Sequence, residues 1–382
     1  MVERTLQNKL IDLAAQYPVV TLTGPRQSGK STLLKHAFAD YQYVSLEDLD
    51  MREFAQNDPR GFLASYPSHV ILDEVQRVPQ LLSYLQTHID NSDETGMFLL
   101  AGSQNFLLLQ SINQSLAGRT ALLRLLPFSR EELYQARMAT QSLNEQIFMG
   151  CYPRLYDKQI APADYYPHYI QTYVERDVRQ LRNIGQLSTF VRFTKLCAGR
   201  IGQLLNLSSL ANECGISVPT ATAWISVLEA SYICYLLKPD WNNLSKRLVK
   251  SPKLYFYDTG LACSLLGIAS AKQVDTHYLR GGLFENLVIN EFVKRAWNAG
   301  EQEDLRFWRD SQGNEIDLLA YHGDRPEAYE LKSGQTFSDT YFKNLVKWSA
   351  WSGVASEHLH VIYGGDTGLQ TTNGKLLSWK SL

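Results

Sequence analysis

Apolar positions along the chain fall into short dense runs separated by stretches of helical period. Val19-Val20-Thr21-Leu22-Thr23, His69-Val70-Ile71-Leu72 and Met97-Phe98-Leu99-Leu100-Ala101 have strand length. Their hydrophobicity is continuous rather than alternating, which predicts strands buried on both faces, as in a parallel sheet. Ser31 to Ala37 starts a helix after the first run, and Phe106 to Ser115 reads as one after the third. The interval between the first two runs has room for a crossover helix and a further strand. From about Pro127 to Gly202 the pattern is mostly helical, punctuated at Gly150, Pro153, Pro162 and Pro167. Leu207 to Leu237 predicts a helix-turn-helix with a wing: Gly215 sits in the turn, Ser217 caps the second helix, Trp224, Ile225 and Leu228 give it an apolar face, and Tyr232 to Leu237 is strand-like. The last third predicts an amphipathic helix over Phe284 to Val293, then strands at Leu305 to Trp308, from Glu315 to Ala320, and at Ala328 to Lys332.

The turn after the first run reads Gly24-Pro25-Arg26-Gln27-Ser28-Gly29-Lys30-Ser31-Thr32, a G-x-x-x-x-G-K-S phosphate-binding loop in the strand-loop-helix setting that motif requires. Gly24 and Gly29 let the backbone wrap a phosphate, and the helix N-terminus adds partial positive charge. Lys30 is expected to reach the β- and γ-phosphates, and Ser31 to give its hydroxyl to Mg2+. The second run ends in Asp73-Glu74, a Walker B pair: Asp73 would hold Mg2+ through water, and Glu74 would orient or deprotonate the attacking water. Ser103 and Asn105, after the third run, are expected to sense the γ-phosphate; a capped turn explains them equally well. Arg119 and Arg176 are candidates for an arginine supplied by a neighbouring subunit, with surface ion pairing as the plainer reading.

Composition narrows the setting. At 382 residues the chain predicts two or three domains, and 45% hydrophobic with 20% charged residues is ordinary for a globular protein. A net charge of −2 gives no global attraction to polyanions, so any nucleic-acid contact must come from a local patch. Lys238, Lys246, Arg247, Lys250 and Lys253 form such a cluster after the helix-turn-helix, whose second helix, Ser217 to Glu229, has no Lys or Arg for reading a groove. Cys151, Cys197, Cys214, Cys234 and Cys263 are scattered singly and read as buried reduced thiols of a cytoplasmic protein. No run approaches a membrane span, and Glu3, Arg4, Lys9 and Asp12 interrupt any signal-peptide pattern.

A second constellation lies near the C-terminus. Glu330 and Lys332 project to one face of a strand, and with Asp317 on a hairpin partner two carboxylates can hold one hard divalent cation. Lys332 can orient water against a phosphodiester, and Glu285 can complete the metal shell from the preceding helix. A plain ion-pair cluster is the alternative.

The strings GPRQSGKSTL, ILDEVQRVP, LLAGSQN, SLAGR, LPFSREEL, YVERDV, SPKLYFYDTGL, GGLFENLVINE, GNEIDLLA and YELKSG, from about residue 17 to residue 334, resemble the prokaryotic AAA-type ATPases that carry a C-terminal domain of the DUF4143 class. The resemblance implies an AAA+-like P-loop parallel α/β sheet with helices, then a winged helix, then an α/β tail with the fold of PD-(D/E)xK restriction-type nucleases. Lys30, Ser31, Asp73 and Glu74 match its ATPase motifs, and Glu285, Asp317, Glu330 and Lys332 its nuclease pattern. A second sensor arginine is not legible. The expected units are 1–135 for the ATPase core, 136–200 for a helical region, 201–260 for the winged helix and 275–382 for the tail. Expected cofactors are ATP and Mg2+, with a second Mg2+ or Mn2+ in the tail. Expected partners are DNA or RNA and further copies of the chain, with no membrane. Two functions stay open: an ATP-hydrolysing enzyme that acts with nucleic acid through the winged helix and tail, and a nucleotide-regulated switch that binds protein and keeps the tail as a scaffold.

Overall fold

The computed structural model describes residues 2–103, 115–178, 187–240, 249–323 and 325–382; the side chains of residues 175–178 and of residue 322 lie outside that description. Five strands, β1 (Val19–Thr23), β2 (Gln42–Ser45), β3 (Val70–Asp73), β4 (Phe98–Gly102) and β5 (Thr120–Arg124), form a parallel sheet in the order β2-β3-β4-β1-β5. Every residue of β1, β3 and β4 is buried, which is why these strands read as unbroken apolar runs. Alternate residues feed two cores: Val19, Val70, Leu72, Phe98 and Leu100 on one face, and Val20, Leu22, Ile71, Leu99 and Ala101 on the other. Crossover helices follow, Lys30–Ala37 after β1, Leu49–Asn57 and Pro59–Ser65 after β2, and Leu81–Ile89 after β3. The helix expected over Phe106 to Ser115 falls, but for its last residue, outside the described residues.

The middle of the chain is helical from Arg130–Gln135 to Val218–Ala230 and includes a π-helical stretch, Ile170–Val178, that continues the Pro162–Tyr169 helix. Gly215 ends the Leu207–Cys214 helix at φ 69°, and the Ser217 hydroxyl accepts from the Thr220 N–H at 3.2 Å, so the helix-turn-helix forms where its residues predict it. The strands after it do not make a free wing. β6 (Cys234–Pro239) and β7 (Lys253–Phe256) pair with each other, and the end of β6 runs parallel to β8 (Leu305–Arg309), Lys238 opposite Arg306. They thereby edge a mixed eight-stranded sheet completed by β9 (Glu315–His322), β10 (Arg325–Lys332), β11 (Leu359–Tyr363), β12 (Leu369–Thr371) and β13 (Gly374–Ser378), in the order β12-β13-β11-β10-β9-β8-β6-β7.

One apolar core runs through both regions, with Phe190, Trp224, Leu254 and Phe256 in the same cluster as Phe284, Leu318, Leu331, Ile362 and Trp379. The expected 201–260 unit is therefore physically continuous with the tail. All five cysteines are buried and unpaired. Among the described residues no helix is long and apolar enough to cross a membrane.

Candidate functional site

The P-loop joins β1 to the Lys30–Ala37 helix at the carboxyl edge of the sheet. Gly24 has φ 148°, and a Cβ there would lie 2.2 Å from the Leu125 carbonyl oxygen, so only glycine lets the loop pass β5 this closely. Gly29, at φ 96°, caps the helix. Arg4, which no motif flags, holds the loop from beneath: its guanidinium donates to Ser28 O at 2.8 Å, Leu126 O at 2.7 Å and Glu132 Oε1 at 3.0 Å.

Lys30 Nζ folds back onto its own loop, donating to Gly24 O at 2.9 Å and Pro25 O at 2.8 Å. Burial pulls its ammonium down to about 8, partly opposed by Glu74 and Asp73. Ser31 Oγ donates to Asp73 Oδ2 at 2.6 Å, and the Tyr43 hydroxyl donates to the same oxygen at 2.7 Å. A serine hydroxyl touching a buried carboxylate at the mouth of a phosphate loop is a donor set that fits Mg2+, a small cation that takes few protein ligands. Glu74, just past β3, sits in the left-handed region at φ 55°. Its Oε2 accepts from Ser103 Oγ at 3.2 Å and from Gln76 Nε2. Because β4 lies between β1 and β3, its carboxyl end delivers Ser103 to Glu74. Thr32 is exposed on the first turn of the helix, and Asn105 lies outside the described residues.

Arg119 stands just before β5, at the end of the sheet away from the loop, and its fork is taken by Asp90 with contacts of 2.5 and 3.0 Å. Within its own chain it therefore makes a surface ion pair rather than a phosphate contact. The side chain of Arg176 is outside the description. The middle region does reach the loop, through residues that sequence reasoning passed over. Tyr165 donates to Gln27 Oε1 at 2.9 Å, Tyr169 to Arg26 O at 3.5 Å, and the Tyr232 and Thr23 hydroxyls meet at 2.8 Å. Tyrosines at 165, 169 and 173 share one helical face, a spacing visible in the sequence.

In the tail, β9 and β10 are antiparallel with Leu318 opposite Tyr329, so the next step of that register sets Asp317 against Glu330. Asp317 Oδ2 accepts from the Leu331 N–H at 2.8 Å. Glu330 Oε1 accepts from Lys332 Nζ at 2.6 Å, whereas Oε2 is buried with no hydrogen-bond partner among the described residues. Burial, reinforced by the Asp317 charge, raises the Glu330 carboxyl well above the usual range. An orphaned buried carboxylate oxygen facing an aspartate fits a hard divalent cation.

Glu285 lies near Asp317, with Glu315 in reach of both. Its Oε1 accepts from Lys253 Nζ at 2.8 Å and from the Tyr255 hydroxyl. Lys253 also pairs with Glu315 and stands 4.0 Å from Asp317. Glu285, Glu315 and Asp317 offer oxygens within 4.8 Å of one another, an arrangement that could hold a cation, and the Lys253 ammonium stands beside them. Burial opposes that ammonium's charge, but Glu285, Asp317 and Glu315 outweigh it and hold Lys253 above its ordinary value. The same contact corrects the basic cluster: Lys253, only 2% exposed, is a core cation and not a phosphate contact. Lys238 and Lys250 are exposed, and Lys246 and Arg247 lie outside the described residues.

Residues 16–134 match the family described as an AAA domain, residues 140–272 a domain of unknown function, DUF8612, and residues 280–382 a domain of unknown function, DUF4143. The chain is 29% identical over 322 residues to an uncharacterized protein of Mycobacterium tuberculosis and equally to one of Mycobacterium bovis, covering 84% of this chain and 71% of each relative. Among solved structures it is similar to a Walker-type ATPase of Pyrococcus abyssi, at 15% identity and TM-score 0.46 over 69% of this chain and 96% of that one. It is also similar to AMPPCP-bound DnaA from Aquifex aeolicus, at 16% identity and TM-score 0.31 over 59% of this chain and 85% of that one.

Proposed function

We propose that this chain, an AAA domain followed by a DUF4143 domain, binds ATP with Mg2+ and hydrolyses its terminal phosphoanhydride. The observation that carries the reading is the Ser31–Asp73 contact of 2.6 Å beside a buried Lys30 and a Glu74 oriented by Ser103. Lys30 leaves the Gly24 and Pro25 carbonyls for the β- and γ-phosphates, which answer its charge better than carbonyl dipoles. Mg2+, when held by Ser31 and, through water, by Asp73, would neutralise charge on the phosphate oxygens. Glu74 accepts a proton from the water aligned with the γ-phosphorus, and Ser103 fixes the carboxylate for that task. Lys30→Ala should abolish ATP binding, and Glu74→Gln should keep binding while kcat falls about 10²-fold or more. Equilibrium binding and phosphate-release assays read the two apart, and tight binding by Lys30→Ala or full turnover by Glu74→Gln rejects the assignment.

For the rest of the chain we favour action on nucleic acid, with Asp317 and Glu330 holding a second Mg2+ or Mn2+ and Lys332 beside them. The Glu330 oxygen, which has no hydrogen-bond partner among the described residues, supports it. Exposed Lys238 and Lys250 beside the helix-turn-helix offer phosphate contacts. The second reading, a nucleotide-regulated switch that binds protein, draws on Lys253, which neutralises the Glu285 and Glu315 side of the cluster without any metal.

A further inference from the structure

Phosphoryl transfer at a P-loop gains from an arginine that meets the charge of the moving phosphoryl group, and Arg119 is committed to Asp90 at the far end of the sheet. Two other arginines stand at the loop itself. A cavity of about 200 Å³ lies against its tip, lined by Arg26, Gln27, Glu47, Arg77, Tyr169 and Tyr173 among others. Arg26 is the third residue of the loop, and Arg77 ends the short 3-10 turn Val75–Arg77 that begins just after Glu74. The two guanidinium groups thus come from the two elements that between them hold the γ-phosphate and its attacking water. Glu47 supplies an opposing charge on the lining, and its contact with Arg77 is long, 3.3 Å, and largely exposed. Nε of Arg77 is buried and meets no acceptor among the described residues. Arg26 is carried on a braced backbone: Gln27 takes φ 62° and is gripped by Tyr165, Tyr169 bonds the Arg26 carbonyl, and the Arg26 guanidinium lies over the Tyr173 ring at 5.8 Å.

We propose that Arg26 is a catalytic residue supplied in cis, which swings from the Tyr173 face onto the γ-phosphoryl oxygens, with Arg77 holding the released phosphate in the same cavity. This rests on the ATPase reading above. In the step, a water oxygen forms a bond to the γ-phosphorus as the bond to the bridging oxygen breaks. The electron pair of that bond stays on the ADP β-phosphate, and the water proton passes to Glu74 and then to phosphate. Arg26 gains contact as negative charge spreads over the equatorial and leaving oxygens, so it stabilises the transition state more than bound ATP. A planar two-pronged donor suits those oxygens, which an ammonium does not reproduce.

The test uses the full chain with Mg2+ and ATP. Arg26→Ala should lower kcat about 10²-fold or more while the Kd for ATP stays within about fivefold. Trapping of ADP with aluminium fluoride should weaken in step with kcat, and Arg26→Lys should recover little of either. Arg77→Ala should speed phosphate release in a single-turnover assay, because the cation that retains the product anion is gone. An equimolar mixture of Arg26→Ala and Lys30→Ala chains should stay inactive, because each intact P-loop then lacks its own arginine. Arg26→Ala with kcat within threefold of wild type overturns the proposal, as does activity restored by mixing, which would mean the cation arrives from another chain. Wild-type protein that binds ATP without turning it over overturns the ATPase reading and this inference together, whereas an active wild type with an equally active Arg26→Ala overturns the inference alone.

Discussion

Asp258 shows how much one buried side chain can tie together. It caps the Thr259–Leu265 helix, accepting from the Leu261 N–H at 2.9 Å, from the Tyr166 hydroxyl at 2.6 Å and from the Cys151 N–H at 2.7 Å. Gly150 makes room for it: a Cβ there would lie 2.5 Å from Asp258 Oδ1 and 2.0 Å from the Tyr166 oxygen. Burial raises the Asp258 carboxyl above its usual range, against the pull of those three donors. The folded state therefore keeps a proton that the unfolded chain loses near pH 4. Its contribution is present below that pH and is lost as pH rises through the folded value. The stability of wild type relative to Asp258→Asn should accordingly fall as pH rises above about 4, by at most about 1.4 kcal/mol per pH unit. Urea titrations at several pH values read this difference, and a difference that rises with pH would contradict it. Asp258→Ala should cost about 3 kcal/mol or more at any pH, since it strands three buried donors.

At the scale of elements, the β9–β10 hairpin carries the cation prediction. Its register sets Asp317 against Glu330, and the two differ in how they are occupied: one Asp317 oxygen is used by the Leu331 N–H, while one Glu330 oxygen has no hydrogen-bond partner among the described residues. Titrating Mn2+ into the full-length Lys30→Ala chain, whose nucleotide site is disabled, should give one site of micromolar to millimolar affinity. Asp317→Asn should remove it with little change in the unfolding midpoint. If the cluster is only an ion-pair network, the same substitution leaves no cation binding to lose and lowers stability instead, because a carboxylate near the buried Lys253 ammonium is neutralised. β6 and β7 illustrate the opposite lesson. Their residues read correctly as strands, yet pairing of β6 with β8 turned an expected wing into a sheet edge and drew Lys253 inward.

At the scale of the molecule, the nucleotide unit is joined to the tail by a buried polar contact. Glu291, on the Arg280–Asn298 helix, accepts from Lys294 Nζ at 2.7 Å and from the Arg130 N–H at 2.7 Å, and Lys294 donates onward to Phe128 O at 2.8 Å. Removing the carboxylate strands an ammonium that is 3% exposed together with a buried N–H. Glu291→Ala should therefore cost about 3–5 kcal/mol. Tryptophan fluorescence and far-UV circular dichroism should give coincident unfolding transitions in wild type, and transitions that separate in the variant. A loss under about 1 kcal/mol with transitions still coincident would mean that the apolar core alone joins the units.

The sequence by itself determined the short-range features. The glycines and lysine of the P-loop, the Walker B carboxylates, the buried strands and the Gly215 turn follow from residue type, period and spacing within a dozen positions, where backbone stereochemistry and burial leave few alternatives. The shared face of Glu330 and Lys332 was legible for the same reason, through the period of two along a strand, whereas the placing of Asp317 opposite them required the β9–β10 pairing. Only the tertiary structure decided which of these elements became neighbours. Insertion of β4 between β1 and β3 brought Ser103 to Glu74, 29 residues away. Closure of the second sheet brought Lys253 to Glu285 and Glu315, and docking of the middle region brought Tyr232 to Thr23 across 209 residues. Such contacts rest on shape and charge summed over many residues, so no local pattern encodes the partner, and the roles of Arg4, Glu315 and Lys253 emerged only once the chain was folded.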